Sequence, residues 1–142
     1  MSPFEPIAAG PWPERYTFSP AVRAGNLLFI AGTTSTDERM ELVGRGDIVA
    51  QTRQIYRKFE ALLAAAGGSM RDIVSTTEFI TTTEHYRDTA AVRREVFGGP
   101  PYPTATGVIV AGLLREGALI EISAIAVLPE SGAKAAPAVT GA

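Results

Sequence analysis

Glu121 stands between Ile120 and Ile122 in "GALIEISAIAVL", residues 117 to 128, an apolar run in which a charged carboxylate is costly to keep. Desolvation raises the pKa of such an acid towards the working pH, so that one group can both give and take a proton. Hydrolysis in general needs that pair of services: a base or orienter for the attacking water and an acid for the departing group. Glu78, in "TTEFI", is a second acid inside a strand-like run, grouped by alternation with Val74, Thr76 and Ile80. On the same side as Glu121 the two carboxylates would push one pKa up. The favoured reading of Glu78 is a strand-end acid facing solvent or paired with Arg71 or Arg87. Arg93, in "VRREV", reads best as part of a solvated helix face, with a role as an anion contact left open. His85 is the only histidine, so one chain cannot gather a metal-ligand cluster or a Ser/His pair around it, and no metal or cofactor is expected.

Composition narrows the classes further. The chain has 142 residues, 46% of them hydrophobic and 20% charged, enough apolar side chain for the core of one domain. The formal net charge of -2 gives no basic footprint for a phosphate backbone, so nucleic acid is not an expected partner. The absence of cysteine removes disulfides, thiolate metal sites and cysteine nucleophiles. The start, "MSPFEPIAAGPWPERY", has acids and prolines but neither a basic n-region nor a continuous apolar stretch. The expectation is a soluble cytoplasmic protein without a membrane partner, with residues 1 to 15 as an extended N-terminal segment, 16 to 128 as the domain and 129 to 142 as a flexible tail.

These side chains need elements to position them. "LLFIA", bounded by Gly25-Asn26 and Gly32, reads as a strand, and "YTFSPAV" before it as a hairpin partner. From Asp47, a ready N-cap, the apolar period changes to three or four with Ile48, Thr52, Ile55, Phe59, Leu62 and Ala66, which predicts a helix stopped by Gly67-Gly68. "DIVSTTEFITT" predicts a strand over roughly 73 to 82. Thr83 then caps a helix from Glu84 towards Phe97, ended by "GGPPYP", and two strands follow near "TATGVIV" and "GALIEISAIAV". The order suits an α+β fold, two helices on one face of a single mixed sheet. In the last strand Ile120, Ile122, Ala124 and Ala126 belong under the helices, and Leu119, Glu121, Ser123, Ile125 and Val127 on the other side. That mixed side is too apolar for water, so a second subunit is expected to cover it and place Glu121 at a junction.

In order and spacing, "FSPAVRAGNLLFIAGTTS", "GDIVAQTRQIYRKFEALLAAAG", "DIVSTTEFIT" and "GALIEISAIAVL" resemble the Rid family, also called YjgF/YER057c/UK114. The resemblance covers residues 16 to 128. It implies a chorismate-mutase-like subunit, a homotrimer with three inter-subunit clefts, and hydrolysis of reactive enamines and imines to a carbonyl compound and ammonia. Carried over position by position, the family's last-strand glutamate falls on Glu121 and its strand glycine on Gly32, while the preceding serine is Ala31. The tyrosine of its "YSQAV" block is Phe18, with Tyr16 two residues earlier. A helix asparagine corresponds to Ala90 and a nearby tyrosine to Arg93. The arginine of its "PARS" block, which grips a substrate carboxylate, falls on Ala105. Losing such a charged contact costs about 2 to 5 kcal/mol of binding. Thr33, Thr106 and Ser123 are further candidate contacts through their hydroxyls.

The reading is a trimeric Rid-like hydrolase, a deaminase of a small enamine, imine or related unsaturated metabolite that need not carry a carboxylate. Glu121 manages water and protons, and Tyr16 or Phe18 lines the wall. The alternatives are a pathway lyase or tautomerase using the same cleft, and a non-catalytic trimer that binds a small metabolite.

Overall fold

The structure, a computed structural model, describes residues 3–130, so the predicted tail beyond Glu130 lies outside the described residues. Six strands and two helices follow one another: β1 (Glu5–Ile7), β2 (Ala21–Ala24), β3 (Leu27–Thr33), α1 (Ile48–Ala65), β4 (Ile73–Ile80), α2 (Thr89–Phe97), β5 (Thr104–Ile109) and β6 (Ile120–Val127). They make one sheet in the order β1-β2-β3-β6-β4-β5. Every neighbouring pair is antiparallel except β4 and β5, which run parallel, so the sheet is mixed as expected.

Asp47 caps α1 as its sequence position requires, its carboxylate accepting from the amides of Val49 and Ala50. The apolar stripe of α1 buries Ile48, Ile55, Phe59 and Leu63 against Leu28, Ile30, Ile120, Ile122 and Ala126 of the sheet. Gln51, also buried in α1, donates from Nε2 to the carbonyls of Gly44 and Gly117 and accepts from the Leu119 amide at 2.8 Å. This staple sets where β6 begins, because it ties the turn before the strand to the helix above it.

Several boundaries differ from the sequence reading. β1 was not anticipated: "EPI" is short and carries Pro6, which only an edge strand tolerates, and β1 is an edge. β2 starts at Ala21 rather than near Tyr16, because the preceding residues turn, with the Tyr16 amide bonded to the Pro13 carbonyl at 3.1 Å. The helix predicted from Glu84 starts instead at Thr89. His85 takes a left-handed φ of 59°, which an α-helix cannot continue through, and a single 3-10 turn, Tyr86–Asp88, precedes α2. Its far end is as read, with Gly98 at φ 73°.

Both helices cover one face of the sheet. On β6, Ile120, Ile122, Ala124 and Ala126 are buried beneath them, whereas Glu121, Ser123 and Ile125 are half-buried on the other face. That second face carries Phe29, Val108 and Val127, each 39% exposed, an apolar surface that the single chain leaves open.

Candidate active site

Glu121 is positioned by two neighbours. Phe79 of β4 is its cross-strand partner, and Gly32 of β3 lies directly under its carboxylate. A Cβ on residue 32 would stand 2.5 Å from Glu121 Oε2, so the acid lies where only a glycine leaves room. The pairing of β3 with β6 slips between Ile30 and Thr33, and Ala31 and Gly32 occupy that slip. Among the described residues the Glu121 carboxylate has no hydrogen-bond or ion-pair partner. Burial alone pushes its pKa above the usual carboxylate range. Among the described residues, then, no backbone amide or arginine ties it down. Gly32→Ala is expected to leave the fold intact, because the atom it meets ends a flexible side chain. It should displace the carboxylate, lowering kcat for any reaction Glu121 serves while the unfolding midpoint stays within a few degrees.

The remaining candidates divide between the two faces. Strand pairing sets Ser123 opposite Thr77, and Thr77 opposite Thr106, on the Glu121 side. Ala105 instead pairs with buried Thr76, which places it on the helix side. Thr33 also belongs to the helix side, paired with Ile122, and its hydroxyl is taken by Lys58 Nζ at 2.6 Å. Tyr16 and Phe18 are not in an extended strand. Their rings stack at 5.8 Å, and Trp12, which the sequence reading did not single out, meets both edge-on at 5.1 and 5.4 Å, so that the three form one aromatic cluster. The Ala31 amide bonds to the Pro20 carbonyl at 3.0 Å, so the segment after this cluster runs beside β3 just before Gly32.

Glu78 corrects the sequence reading twice. It neither faces solvent nor pairs with Arg71 or Arg87, being 1% exposed beneath the helices. Nor can it couple with Glu121 in the same chain, because its partner across the strands is Ile122, on the opposite face. Val74 does not share its side either. The register slips between Ile73 and Ser75, and the extra residue turns Val74 outward, 45% exposed. Tyr86 Oη donates to Glu78 Oε1, and Arg93 Nη1 lies 3.3 Å from Glu78 Oε2 and 2.8 Å from Thr89 Oγ1. Arg93 is therefore no plain solvated residue, its side chain being 23% exposed. Burial, followed by the bond and charge of Glu78, pushes the Tyr86 phenol up to about 12, which keeps it a proton donor. Tyr56, buried nearby, is raised as well, chiefly by burial.

Lys58 was missed. Its ammonium, on α1, donates to Thr33 Oγ1, the Thr34 carbonyl and Thr36 Oγ1 at 2.6 to 2.9 Å, with no carboxylate paired to it among the described residues. The signal was the hydroxyl run "TTST" at the end of an apolar strand. Burial, then the charge of Arg115, lowers its pKa from 10.5 to about 8. Between those two values the unfolded chain binds more protons than the folded one, so stability rises with pH across that window. Urea midpoints at pH 7.5 and 10 should show this rise in the wild type and its loss in Lys58→Met.

A concavity of about 440 Å³ lies elsewhere, between Met40, Leu42 and Arg45 on one side and Leu114, Arg115 and Glu116 on the other, and includes none of the candidate residues. Among the described residues no three His, Cys, Asp or Glu side chains gather as a metal site, and no helix is long and apolar enough to cross a membrane.

Known proteins share this architecture. A family model described as "Endoribonuclease L-PSP" matches residues 12–128. RutC family protein PH0854 of Pyrococcus horikoshii is 38% identical over 109 residues, covering 77% of this chain and 85% of the relative. The 3-aminoacrylate deaminase RutC of Acinetobacter baylyi is 32% identical over 120 residues, 84% of this chain and 94% of that protein. The crystal structure of Rv2704 from Mycobacterium tuberculosis, a member of the YjgF/YER057c/UK114 family, superposes with a TM-score of 0.73 at 32% identity, covering 88% of this chain and 99% of the other. With a family model matching residues 12–128 and relatives that match most of its length, this chain belongs to the Rid (YjgF/YER057c/UK114) family.

Proposed function

We propose that the protein is a deaminating hydrolase of small reactive enamines or imines, working through Glu121. The observation that carries this reading is a half-buried carboxylate, raised in pKa by burial and without a partner among the described residues, set over Gly32 on an apolar sheet face. A relative 32% identical, named a 3-aminoacrylate deaminase, supports the same class of reaction.

The steps follow from one carboxyl group. In its protonated form Glu121 delivers a proton to the enamine β-carbon, and the nitrogen lone pair forms the C=N bond of an iminium. The resulting carboxylate takes a proton from water as the water oxygen bonds to the iminium carbon. The carbinolamine then gives up its C–N bond, the nitrogen leaving as ammonia with a proton from Glu121, and the oxygen becomes the carbonyl as its own proton passes back to Glu121, which restores the protonated acid. The aromatic cluster of Trp12, Tyr16 and Phe18 suits a flat, conjugated substrate, and Ser123 and Thr106 supply hydroxyls on the same face as Glu121.

A homotrimer with inter-subunit clefts fits the uncovered face that holds Phe29, Val108 and Val127. Ammonia release from freshly generated 3-aminoacrylate, compared with the rate in buffer alone, tests the activity. Release no faster than buffer, for this and for a panel of small imines, would reject the hydrolase reading.

A further inference from the structure

The place of Glu121 depends on a strand end that the sheet itself holds weakly. β3 leaves its register with β6 after Ile30 and resumes it at one pair, Thr33 with Ile122. Ala31 and Gly32 lie in that slip, and Thr33 is the last residue of the strand. Gly32 is the residue under the Glu121 carboxylate, and Ile122 follows Glu121 on β6. A displacement of Thr33 therefore displaces the floor beneath the acid. One pair beyond an irregular stretch is a poor anchor, because strand ends open more readily than strand centres.

α1 supplies the hold that the sheet lacks. The Lys58 ammonium has three donors, and one goes to each of Thr33 Oγ1 at 2.6 Å, the Thr34 carbonyl at 2.8 Å and Thr36 Oγ1 at 2.9 Å. Gln54, one turn earlier on α1, adds a bond from Nε2 to the Thr36 carbonyl at 3.3 Å. Between these points Ser35 is fully buried and donates to the Val43 carbonyl at 2.7 Å. Burial lowers the pKa of Lys58 to about 8, so keeping a cation here is unfavourable in itself. All three bonds that offset this go to residues 33–36, directly after Gly32.

We propose that Lys58 is a positioning residue for Glu121: by fixing residues 33–36 against α1 it holds Gly32 beneath the carboxylate and limits the access of water to it. Its ammonium meets Thr33 on the helix side of the sheet, whereas Glu121 is on the other, so Lys58 acts through the strand and does not touch substrate. For catalysis this rests on the hydrolase reading. For the state of the Glu121 carboxyl it rests on the geometry alone. The sign of the effect separates positioning from charge. Loss of a nearby positive charge raises the pKa of a carboxyl group, whereas release of the strand end hydrates Glu121 and relieves the burial that raises it.

Titration of the Glu121 carboxyl by carbon-13 NMR of the full chain, assigned by the signal missing from Glu121→Gln, reads this without any substrate. In Lys58→Met the midpoint should fall towards the usual carboxylate range. Thr33→Val keeps the Lys58 charge and a β-branched strand residue but removes the bond nearest Gly32. It should lower the midpoint by a smaller amount, and it decides the matter should Lys58→Met fail to fold. Arg57→Met removes a charge from the exposed neighbouring position of α1 and should leave the midpoint unchanged. With turnover in the wild type, Lys58→Met should lower kcat about 10- to 100-fold with little change in KM, the effect of a misplaced reacting group. A midpoint in folded Lys58→Met at or above the wild-type value overturns the proposal. So does an unchanged midpoint in Thr33→Val, or a fall in Arg57→Met equal to that in Lys58→Met. The hydrolase reading fails separately, through absence of turnover in the wild type, a result that leaves the NMR midpoints where they are.

Discussion

Glu121→Gln should lower kcat for imine or enamine hydrolysis by about 10²- to 10⁴-fold, the range over which a positioned acid–base group acts. The amide keeps the shape of the side chain over Gly32 and cannot exchange a proton, so substrate binding should change little and the loss should appear in kcat. Stability should move the other way. The folded-state pKa of Glu121 is raised by burial, so the protonated form is favoured in the native state. Its contribution to stability is full below the ordinary carboxylate pKa and is lost as pH rises through the higher folded value. Glutamine does not suffer that loss. The variant's unfolding midpoint should therefore gain on the wild type between pH 4 and pH 8, and a midpoint difference that does not change with pH would contradict the burial argument. A variant that loses turnover while gaining stability is hard to explain by damage to the fold.

The second large effect is structural. Arg93→Met leaves Glu78, 1% exposed, without its cation, and an uncompensated buried charge of this kind costs about 3 kcal/mol. For a domain of this size that is a fall of roughly 10 °C in Tm. Adding Glu78→Gln to the same chain removes the charge and keeps an acceptor for Tyr86, so the double variant should regain most of the loss. Thermal unfolding of the wild type, the single and the double variant checks the coupling; equal midpoints for single and double variants would mean that Glu78 and Arg93 act independently.

The parts of the fold legible in the sequence were those with long or strongly patterned runs. The α1 stripe from Ile48 to Leu62, its cap at Asp47 and the alternation that separates Ile120 and Ile122 from Glu121 are all present as read. The misreadings share a cause: a local irregularity that no periodic rule contains. The extra residue at Val74 reverses the side on which Glu78 would be placed relative to it, and the left-handed His85 delays α2. Pro6 hid an edge strand. The site was legible only in part for a related reason. Gly32 and Glu121 could be paired through the family resemblance, but the bonding of Glu78 with Tyr86 and Arg93 joins β4, a 3-10 turn and α2. Lys58 likewise finds its partners in a hydroxyl run more than twenty residues away. Contacts of that kind are set by tertiary packing, so spacing along the chain does not announce them.

The central claim is that the carboxyl group of Glu121 carries out the hydrolysis. The most direct test is the initial rate of ammonia release from one freshly generated imine, measured side by side for the wild type, Glu121→Gln and buffer. A wild-type rate well above buffer, with Glu121→Gln reduced to near the buffer rate while still folded, is the expected result. Release by Glu121→Gln at the wild-type rate would contradict it.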